Sequence, residues 1–579
     1  MPPSVDVDSI TAYLSSLVED RPPSEIVLDV GLVSVGVWLL LKGIRAARSS
    51  RRSLTTTRLR GPPNPSFLFG VGEQLEFAPN QDSGALFEAW SKEYGAVYQV
   101  PSAFGAQRVV LFDVRAIAHV FARDAGHVPS SAESGEAPGA KGTYDHLAFT
   151  KLAVANLIGK GVLWASGDNH KRQRKALTPA FSNAAIRDVT PIFFDSAYKV
   201  KNIWDELLAS SSTNDEVVEV QRWMNHISLD SIGLAGFSHD FGAIYGKKSA
   251  VTDTFDAFST TPPTKFYRFM FVVLGLVFPW FVNLPTARTQ ISKKLNDAMA
   301  EIAQVLLERT RREKEQGGNE MEKDRSVIGT LLRAETAGTE LHLSHQEILD
   351  SMKVLLLAGY ETTSTSLTWA LIELSKNQKA QSKLREELSQ FSTGDPTYDQ
   401  LTSDSLPYLD GVVHEILRLH PVANEVPRVV VEDDIMPLSE PILDASGKTI
   451  ASVAVAKGTN IAIPVEGINR SEALWGPDAK VFRPERWLED GLPDGIPPQV
   501  KGVQGYRHLL TFIDGPRICL GRHFAVAEFK AVLSVLIRNF TFDFATPDAK
   551  VEVIRSFLFR PKVVGEQGVD VPLRIRRIE

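Results

Sequence analysis

The feature that most constrains this chain of 579 residues is that it contains a single cysteine, Cys519. One cysteine cannot form an intrachain disulfide, and it excludes a zinc site built from several cysteines. A lone cysteine is most often a small buried hydrophobic residue or a passive thiol. The residues around Cys519 therefore decide whether it has a chemical role.

The segment from Phe512 to Gly521 reads FIDGPRICLG and surrounds the cysteine with glycine. Gly515 and Gly521 permit turns and a close approach of the backbone to a flat ligand, and Arg517 can neutralise a carboxylate. A helical pattern over residues 522–536 follows, so backbone N–H groups and the positive end of a helix dipole would lie near the sulfur. These conditions keep a thiolate ionised and suit its coordination to a metal such as haem iron.

The pattern F-x-x-G-x-R-x-C-x-G resembles the haem-binding signature of the cytochrome P450 superfamily, and this sequence matches every fixed position. The resemblance extends over residues 61–579, where the other landmarks of the family follow in the expected order. It implies a cytochrome P450 fold that carries haem b, with Cys519 as the axial thiolate ligand of the iron. The residues expected to border the haem are Phe512, Gly515, Arg517 and Gly521.

A second match lies in a long helical pattern over residues 343–375, which opens with the capping box Ser344-x-x-Glu347. Residues 358–363 read AGYETT, and glycine alone opposes helix formation by about 1 kcal/mol. Such local violations often mark function. In the resembling family this helix crosses above the haem, which implies that Glu361 and Thr362 relay protons to the reaction. Alternatively, the threonine hydroxyls bond back to carbonyls one turn earlier and only bend the helix.

A third match, Glu415-Ile-Leu-Arg418, resembles the E-x-x-R of the family, in which the two side chains pair on one helix face. The resemblance implies that Arg486 is the third partner and that the three residues form a buried ionic cluster with a structural role. His414-Glu415 also resembles the start of a zinc-protease helix. Because residue 418 is arginine rather than histidine, zinc-dependent hydrolysis is rejected.

Two further segments resemble positions that contact the haem propionates. His170 and Arg174 match a W-x-x-x-R segment, with histidine where tryptophan is commoner. Arg428, after a proline-flanked stretch, matches another such position. The alternative for these side chains is solvated surface charge.

The N-terminal region predicts a membrane anchor. Ile26–Leu41 is apolar apart from Asp29 and Ser34, acidic residues precede it, and seven basic residues follow it up to Arg60. The charge asymmetry places the N-terminus in the lumen of the endoplasmic reticulum and the catalytic domain in the cytosol. The predicted segments are a luminal piece at 1–25, a transmembrane helix at 26–47, a basic linker with a proline-rich hinge at 48–65 and a haem-thiolate catalytic domain at 66–579. Asp29 shortens the span, so a buried helix of a soluble domain is the alternative.

Within the catalytic domain, helical patterns dominate and β-type runs are short, at 96–100, 108–112 and 551–576. The expected fold is therefore mainly α with small β-sheets. Residues 130–142 are expected to form a polar loop, and residues 311–325 a charged link between helices. The apolar run 269–282 is too short for a comfortable span. It is either a core helix or a surface element that dips into the membrane.

The resemblance implies a haem-thiolate monooxygenase that inserts one oxygen atom of O2 into a lipophilic small molecule, such as a terpenoid, in fungal secondary metabolism. Electrons would come from NADPH through a separate membrane-bound cytochrome P450 reductase. A net charge of −7 gives no basic field, so nucleic acid is not an expected partner. One alternative is a haem-thiolate isomerase or dehydratase that acts on a peroxide or an oxime without O2. The other is a haem protein of the membrane without enzymatic activity.

Overall fold

The computed structural model describes residues 55–76, 82–124, 142–247, 250–260, 283, 286–317, 326–335, 341–391, 394–488, 496–547, 549–555, 558–566 and 568–578. Several predicted segments lie outside these ranges. They are the luminal segment 1–25, the anchor 26–47, the apolar run 269–282 and residues 130–141 of the polar loop. None of the described helices combines the length and the apolar character that a bilayer span requires.

Helices make up most of the described chain. They are α1 (Gly72–Glu76), α2 (Ser83–Tyr94), α3 (Val114–Ala122), α4 (Ala148–Ile158), α5 (Gly167–Leu177), α6 (Asn183–Ser210), α7 (Val220–Phe237), α8 (Ala250–Thr260), α9 (Ala287–Gly317), α10 (Val327–Ala334), α11 (His345–Lys376), α12 (Gln378–Leu388), α13 (Tyr398–Thr402), α14 (Pro407–Leu419), α15 (Val465–Asn469), α16 (Glu472–Trp475) and α17 (Arg522–Asn539). The predicted mainly α fold with small sheets is confirmed.

The strands are β1 (Val97–Pro101), β2 (Gln107–Leu111), β3 (Tyr144–Asp145), β4 (Asp215–Glu219), β5 (Val426–Val430), β6 (Asp434–Leu443), β7 (Thr449–Val455), β8 (Asn460–Ile463), β9 (Phe540–Phe544), β10 (Val551–Arg555), β11 (Phe559–Val563) and β12 (Pro572–Arg577). A five-stranded sheet has the order β1-β2-β8-β5-β3, and a three-stranded sheet has the order β4-β12-β9. The remaining described strands form two hairpins, β6-β7 and β10-β11. All described pairs are antiparallel except β2 with β8.

The long helix α11 forms the centre of the larger of two hydrophobic cores. The predicted capping box is confirmed: the Ser344 hydroxyl accepts from the Glu347 N–H, and the Glu347 carboxylate accepts from the Ser344 N–H. α11 packs against α7, α9 and α17, and its residues are buried along most of its length. A helix that is buried on nearly all sides is stabilised mainly by such packing rather than by its own propensity. The second core lies on the five-stranded sheet.

The predicted link at 311–325 is wrong over its first part, because α9 continues to Gly317. Arginine, lysine and glutamate favour helix formation, so a charged sequence does not end a helix. Arg311 also forms an ion pair with Glu335, the residue that follows α10. The remaining residues of that link, 318–325, lie outside the described chain.

The compact body of the chain begins at Thr56. Residues 56–60, which the sequence assigned to the linker, hydrogen-bond along two sheets. The Thr57 N–H donates to the Ala454 carbonyl at 2.9 Å, and the Gln99 N–H donates to the Arg60 carbonyl at 2.9 Å. These bonds place the start of the body before the predicted boundary at residue 66.

Candidate active site

The single cysteine lies in a loop that leads directly into α17. Its N–H donates to the Phe512 carbonyl at 2.9 Å, which closes the loop, and a short 3-10 turn covers Gly515–Arg517. Gly521 is the N-cap residue of α17, so Cys519 stands just before the first turn of the helix. The thiol is half-buried. The predicted arrangement of the thiol next to a helix N-terminus is therefore present.

Different physical constraints act at the two glycines of this loop. Gly515 has a φ of +69°, and an added Cβ would lie 2.1 Å from the Phe121 carbonyl oxygen, so no other residue fits. At Gly521 the φ is −87°, and an added Cβ would meet only the Phe181 ring, at 3.6 Å. The protein atoms around residue 521 therefore do not require glycine there. A flat ligand seated against the loop would require it.

Charge and burial act in opposite directions on the thiol. Burial raises the pKa of Cys519, whereas the Gly521 N–H and the nearby guanidinium groups of Arg174 and Arg522 lower it. Burial lowers the pKa of Arg174 itself, and the proximity of Cys519 raises it. Burial is the largest of these effects, so the pKa of the Cys519 thiol lies above its ordinary value, and the cationic groups and the backbone N–H oppose only part of that rise.

One patch interrupts the burial of α11. Between Asp350 and Ser375, all residues are buried except Ala358, Gly359 and Thr362. These positions are one turn or less apart, so they lie on one face of the helix. We refer to Ala358, Gly359 and Thr362 as the open patch. It contains one of the two residues to which the family resemblance gave a proton-relay role.

The hydroxyl of Thr362 donates to the Ala358 carbonyl at 2.7 Å. This is the bond to the preceding turn that the structural alternative expected. A hydroxyl that donates one hydrogen bond can still accept others, so the bond leaves a role in proton transfer open to Thr362. Glu361, in contrast, points away from the open patch and is ion-paired with Arg560 on β11.

Helix packing explains why residue 359 is glycine, and the sequence did not reveal this cause. An added Cβ would lie 2.7 Å from Cγ1 of Ile232 on α7, and 3.0 Å from its Cβ. Glycine at this position lets α7 and α11 approach each other closely. The departure from helix propensity that suggested function at residue 359 is therefore explained by helix packing.

Arg428, predicted to contact the propionates, and Arg517, predicted to border the haem, lie in one buried cluster. Arg428 donates to Asp124 from Nε at 2.8 Å and from Nη2 at 2.7 Å. Arg517 contacts the same carboxylate at 3.4 Å and Asp145 at 3.3 Å, and Asp145 also pairs with Lys151 at 2.7 Å. Arg428 is buried, so the alternative of a solvated surface charge is wrong for this residue. Among the described residues, three cations here share two carboxylates.

Arg174 and His170 lie one turn apart on α5, beside this cluster. His170 is buried, and burial together with Arg517 and Arg174 lowers its pKa to about 3, so the imidazole is neutral at physiological pH. Arg174 is half-buried and has no ion-pair partner within the described part of the chain. With Arg174, whose guanidinium also lies near the Cys519 thiol, the positive charges at the site outnumber the carboxylates, which suits the anionic propionates of haem b.

The structure brings together Glu415, Arg418 and Arg486 in the core. Arg418 forms a two-pronged contact with Glu415, at 2.8 and 2.7 Å, and Arg486 approaches the same carboxylate at 3.4 Å. The Trp487 indole and the Arg483 N–H also donate to Glu415, at 3.0 and 3.1 Å. All three charged side chains are almost completely buried. His414 lies nearby, but the described residues contain no cluster of three or more His, Cys, Asp or Glu side chains that could hold a metal ion.

Four site residues had no signal in the sequence, and one of them is Lys151, which pairs with Asp145. Asp124 and Asp145 pair with arginines 304 and 372 positions away, and Arg560 pairs with Glu361 across 199 positions. No local motif can indicate a partner at such separations. From the sequence alone, a single arginine in a C-terminal strand is predicted to be a charged residue of the surface.

Together these residues fit a haem group. The Gly521 position leaves space for a flat ligand, the cluster has surplus positive charge for two propionates, and the thiol stands before a helix N-terminus. The fold and the site thus define a mainly helical haem-thiolate protein.

Comparison with known proteins identifies the family. The Cytochrome P450 family model matches residues 61–563. Cytochrome P450 monooxygenase claP of Ampulloclitocybe clavipes is 53% identical over 565 residues, which cover 96% of this chain and 100% of that protein. For claO of the same fungus the identity is 54% over 550 residues, with coverages of 94% and 97%. Cytochrome P450 monooxygenase 205 of Postia placenta is 31% identical over 563 residues, with coverages of 95% and 97%.

The chain belongs to the cytochrome P450 family. Its similarity to monooxygenases over nearly its whole length identifies it as an oxidoreductase, a cytochrome P450 monooxygenase. Members of this family carry haem iron with a thiolate ligand and use O2, as the sequence motifs implied.

Proposed function

We propose that this monooxygenase inserts one oxygen atom of O2 into a lipophilic small molecule, such as a terpenoid, in fungal secondary metabolism. The enzyme would be anchored in the endoplasmic reticulum membrane by residues 26–47, with the catalytic domain in the cytosol. Electrons would come from NADPH through a separate cytochrome P450 reductase. Relatives from two fungi support the fungal setting.

The proposal of a lipophilic substrate is based on the open patch on α11. Its side chains are a methyl group at Ala358, a hydrogen atom at Gly359 and a hydroxyl at Thr362 whose proton already bonds to a carbonyl. The neighbouring carboxylate of Glu361 is turned away and neutralised by Arg560. A charged or strongly polar ligand would lose its hydration at this patch and could gain in return only a hydrogen bond to the Thr362 oxygen. An apolar molecule loses nothing there.

In the proposed reaction, haem b supplies the activation of O2 and the transfer of one oxygen atom. The Cys519 thiolate would hold the haem iron and would supply electron density to it. Arg174 and His170 would hold the propionates together with the cluster of Arg428 and Arg517. Thr362 and Glu361 would hold and move the protons that the reaction consumes.

The first experiment compares the carbon monoxide difference spectra of reduced wild type and Cys519→Ala in membranes. We expect a red-shifted Soret band in the wild type and its loss in the variant, because only a thiolate ligand produces this band. Thr213→Ala, at an exposed turn residue, is the matched control and should keep the wild-type spectrum. Bound haem without the band in the wild type would refute thiolate ligation by Cys519.

The second experiment incubates these membranes with terpenoids, sterols and fatty acids, with and without NADPH and a fungal reductase. The proposal requires an oxygenated product that depends on both additions and incorporates one atom of labelled O2. A product formed from a peroxide or an oxime without NADPH would instead indicate the isomerase or dehydratase alternative. Sedimentation of the activity with membranes, abolished by deletion of residues 26–47, tests the anchor.

A further inference from the structure

The carboxylate of Glu361 is held by a cation from a distant part of the chain. Arg560 on β11 donates from Nη2 to Oε1 of Glu361. The side chains are 4% and 1% exposed, so the ion pair is closed to bulk water. The sequence motifs gave Arg560 no role.

Arg560 reaches Glu361 because the C-terminal hairpin is fixed next to α11. Strands β10 and β11 pair antiparallel, with Ile554 opposite Arg560. The Phe559 N–H, at the start of β11, donates to the Val422 carbonyl at 3.0 Å. Since Val422 lies between α14 and β5, the hairpin is bonded to that segment on one side and to α11 on the other.

The ion pair with Arg560 fixes both the position and the counter-charge of the Glu361 carboxylate. Two buried charges are tolerated only when they are paired, and loss of one partner leaves the other uncompensated. Arginine keeps its charge at any physiological pH. A buried carboxylate without a partner would take up a proton and be free to adopt other rotamers. Arg560 prevents both changes at Glu361.

The position of this carboxylate matters because of its neighbour. Glu361 and Thr362 are adjacent on α11, and adjacent residues of a helix do not face each other. Thr362 belongs to the open patch, whereas Glu361 faces β11. Water or a proton passing between the two residues therefore depends on where the Glu361 carboxylate is held.

We infer that Arg560 is a positioning residue that holds the ionised carboxylate of Glu361 behind the open patch and thereby sets the efficiency of proton delivery at Thr362. The inference rests on the proposed proton-relay role of Glu361. It adds to that role a residue of the C-terminal hairpin that does not touch the reacting groups.

The test uses the full-length, haem-loaded enzyme with Arg560→Gln, Arg560→Lys and the double variant Arg560→Gln/Glu361→Gln. Arg576→Gln is the matched control, because Arg576 lies on neighbouring β12 in an ion pair whose arginine is 50% exposed. Infrared spectra at neutral pH report protonated carboxyl groups without any turnover. The ratio of product to NADPH consumed, together with the peroxide released, reports proton delivery.

We expect Arg560→Gln to show an additional protonated-carboxyl band that is missing from the double variant. Its product per NADPH should fall by about tenfold, since a misplaced proton donor loses much of the contribution of acid catalysis. Arg560→Lys keeps the charge but not the forked geometry of the guanidinium, so it should show no new band, and its coupling should lie between those of Arg560→Gln and the wild type. Arg576→Gln should match the wild type in both measurements, and all four proteins should give the same carbon monoxide difference band.

Wild-type infrared and coupling values in Arg560→Gln would overturn the inference. If Arg560→Gln does not fold, Arg560→Lys decides the question: full coupling indicates a merely structural cation, and reduced coupling at an unchanged thermal midpoint supports positioning. Failure of the proposed function is distinguishable. In that case the wild type would lack NADPH-dependent product, while the infrared comparison would still report how Arg560 controls the Glu361 carboxylate.

Discussion

Glu528 on α17 is a carboxyl group that is completely buried in the main core. Burial raises its pKa from 4.5 to about 8, although the hydroxyl groups of Ser228, Thr363 and Ser231 lower it. In the unfolded chain this carboxyl would titrate near its ordinary value. Between pH 4.5 and about 8 the folded protein therefore binds one proton more than the unfolded protein. Stability must fall as the pH rises through this window.

Glu528→Gln removes this titration while keeping the size of the side chain. We expect the variant to differ little from the wild type at the acidic end of the window and to be more stable at the basic end, by about 4 kcal/mol. Thermal midpoints measured across the pH range check the prediction. Glu206→Gln, at an exposed position on α6, should give a constant difference. A pH-independent effect of Glu528→Gln would show that Glu528 is not protonated in the folded protein.

Glu415 compensates two arginines that have almost no contact with water. Glu415→Gln keeps the shape but leaves Arg418 without a counter-charge and Arg486 with Asp478 alone, which should cost about 3–5 kcal/mol. We expect little folded haem protein and a strongly lowered thermal midpoint. Asp399→Asn removes a carboxylate from an ion pair whose members are 51% and 70% exposed, and it should cost less than about 1 kcal/mol. Equal effects of the two variants would contradict this assignment of a structural role.

At the scale of helices, the contact between α7 and α11 depends on Gly359. In an isolated helix, alanine would be better than glycine by about 1 kcal/mol. Here we expect Gly359→Ala to destabilise the protein by about 1–3 kcal/mol, because the new methyl group overlaps Ile232. Combination with Ile232→Ala should recover part of this loss, which a double-mutant cycle of thermal midpoints measures. Additive losses would mean that the two side chains do not compete for space.

Local sequence patterns predicted the helices and strands of this fold better than they explained why a particular residue occupies a particular position. The capping box at Ser344 and the apolar run behind it are sufficient to predict α11. At Gly359 the sequence indicated an exception but not its cause, because Ile232 lies far away in the chain. The end of α9 was missed since charged residues continue a helix as readily as they form a loop.

The same limit applies to the candidate site. A motif that is contiguous, such as the segment around Cys519, places its residues at the start of one helix. The carboxylates that pair with Arg428 and Arg517 come from segments near α3 and β3 and carry no motif of their own. Motifs therefore indicated Arg174, Arg428 and Arg517 as cations of the site, but not Lys151. Only the fold indicates how their charges are balanced.

For the whole molecule, the balance of charge at the site is a property of several elements at once. The cations come from α4, α5, β5 and the cysteine loop, and the carboxylates follow α3 or lie on β3. Both hydrophobic cores must therefore be in place before the cluster can form. Haem retention should consequently be lost together with the fold and not before it.

The start of the compact body is a further property of the whole chain. Thr56 accepts from the Ala456 N–H at 3.0 Å, Thr57 bonds twice to Ala454, and Leu59 is buried. A chain that begins at residue 55 keeps these contacts, and we expect its thermal midpoint and carbon monoxide difference spectrum to equal those of the full chain. A chain that begins at residue 66 loses several hydrogen bonds, each worth about 1 kcal/mol, and should unfold at a clearly lower temperature.

Comparison of the two truncated chains separates the anchor from the body. Both lack residues 26–47, so both should leave the membrane fraction if that segment is the anchor, whereas only the shorter chain should be less stable. Equal thermal midpoints would place the start of the body at the proline-rich hinge, as the sequence pattern suggested. A lower midpoint for the shorter chain alone would mean that residues 56–60 act as an edge of the sheets, because their backbone bonds to β1 and β7 are what the truncation removes.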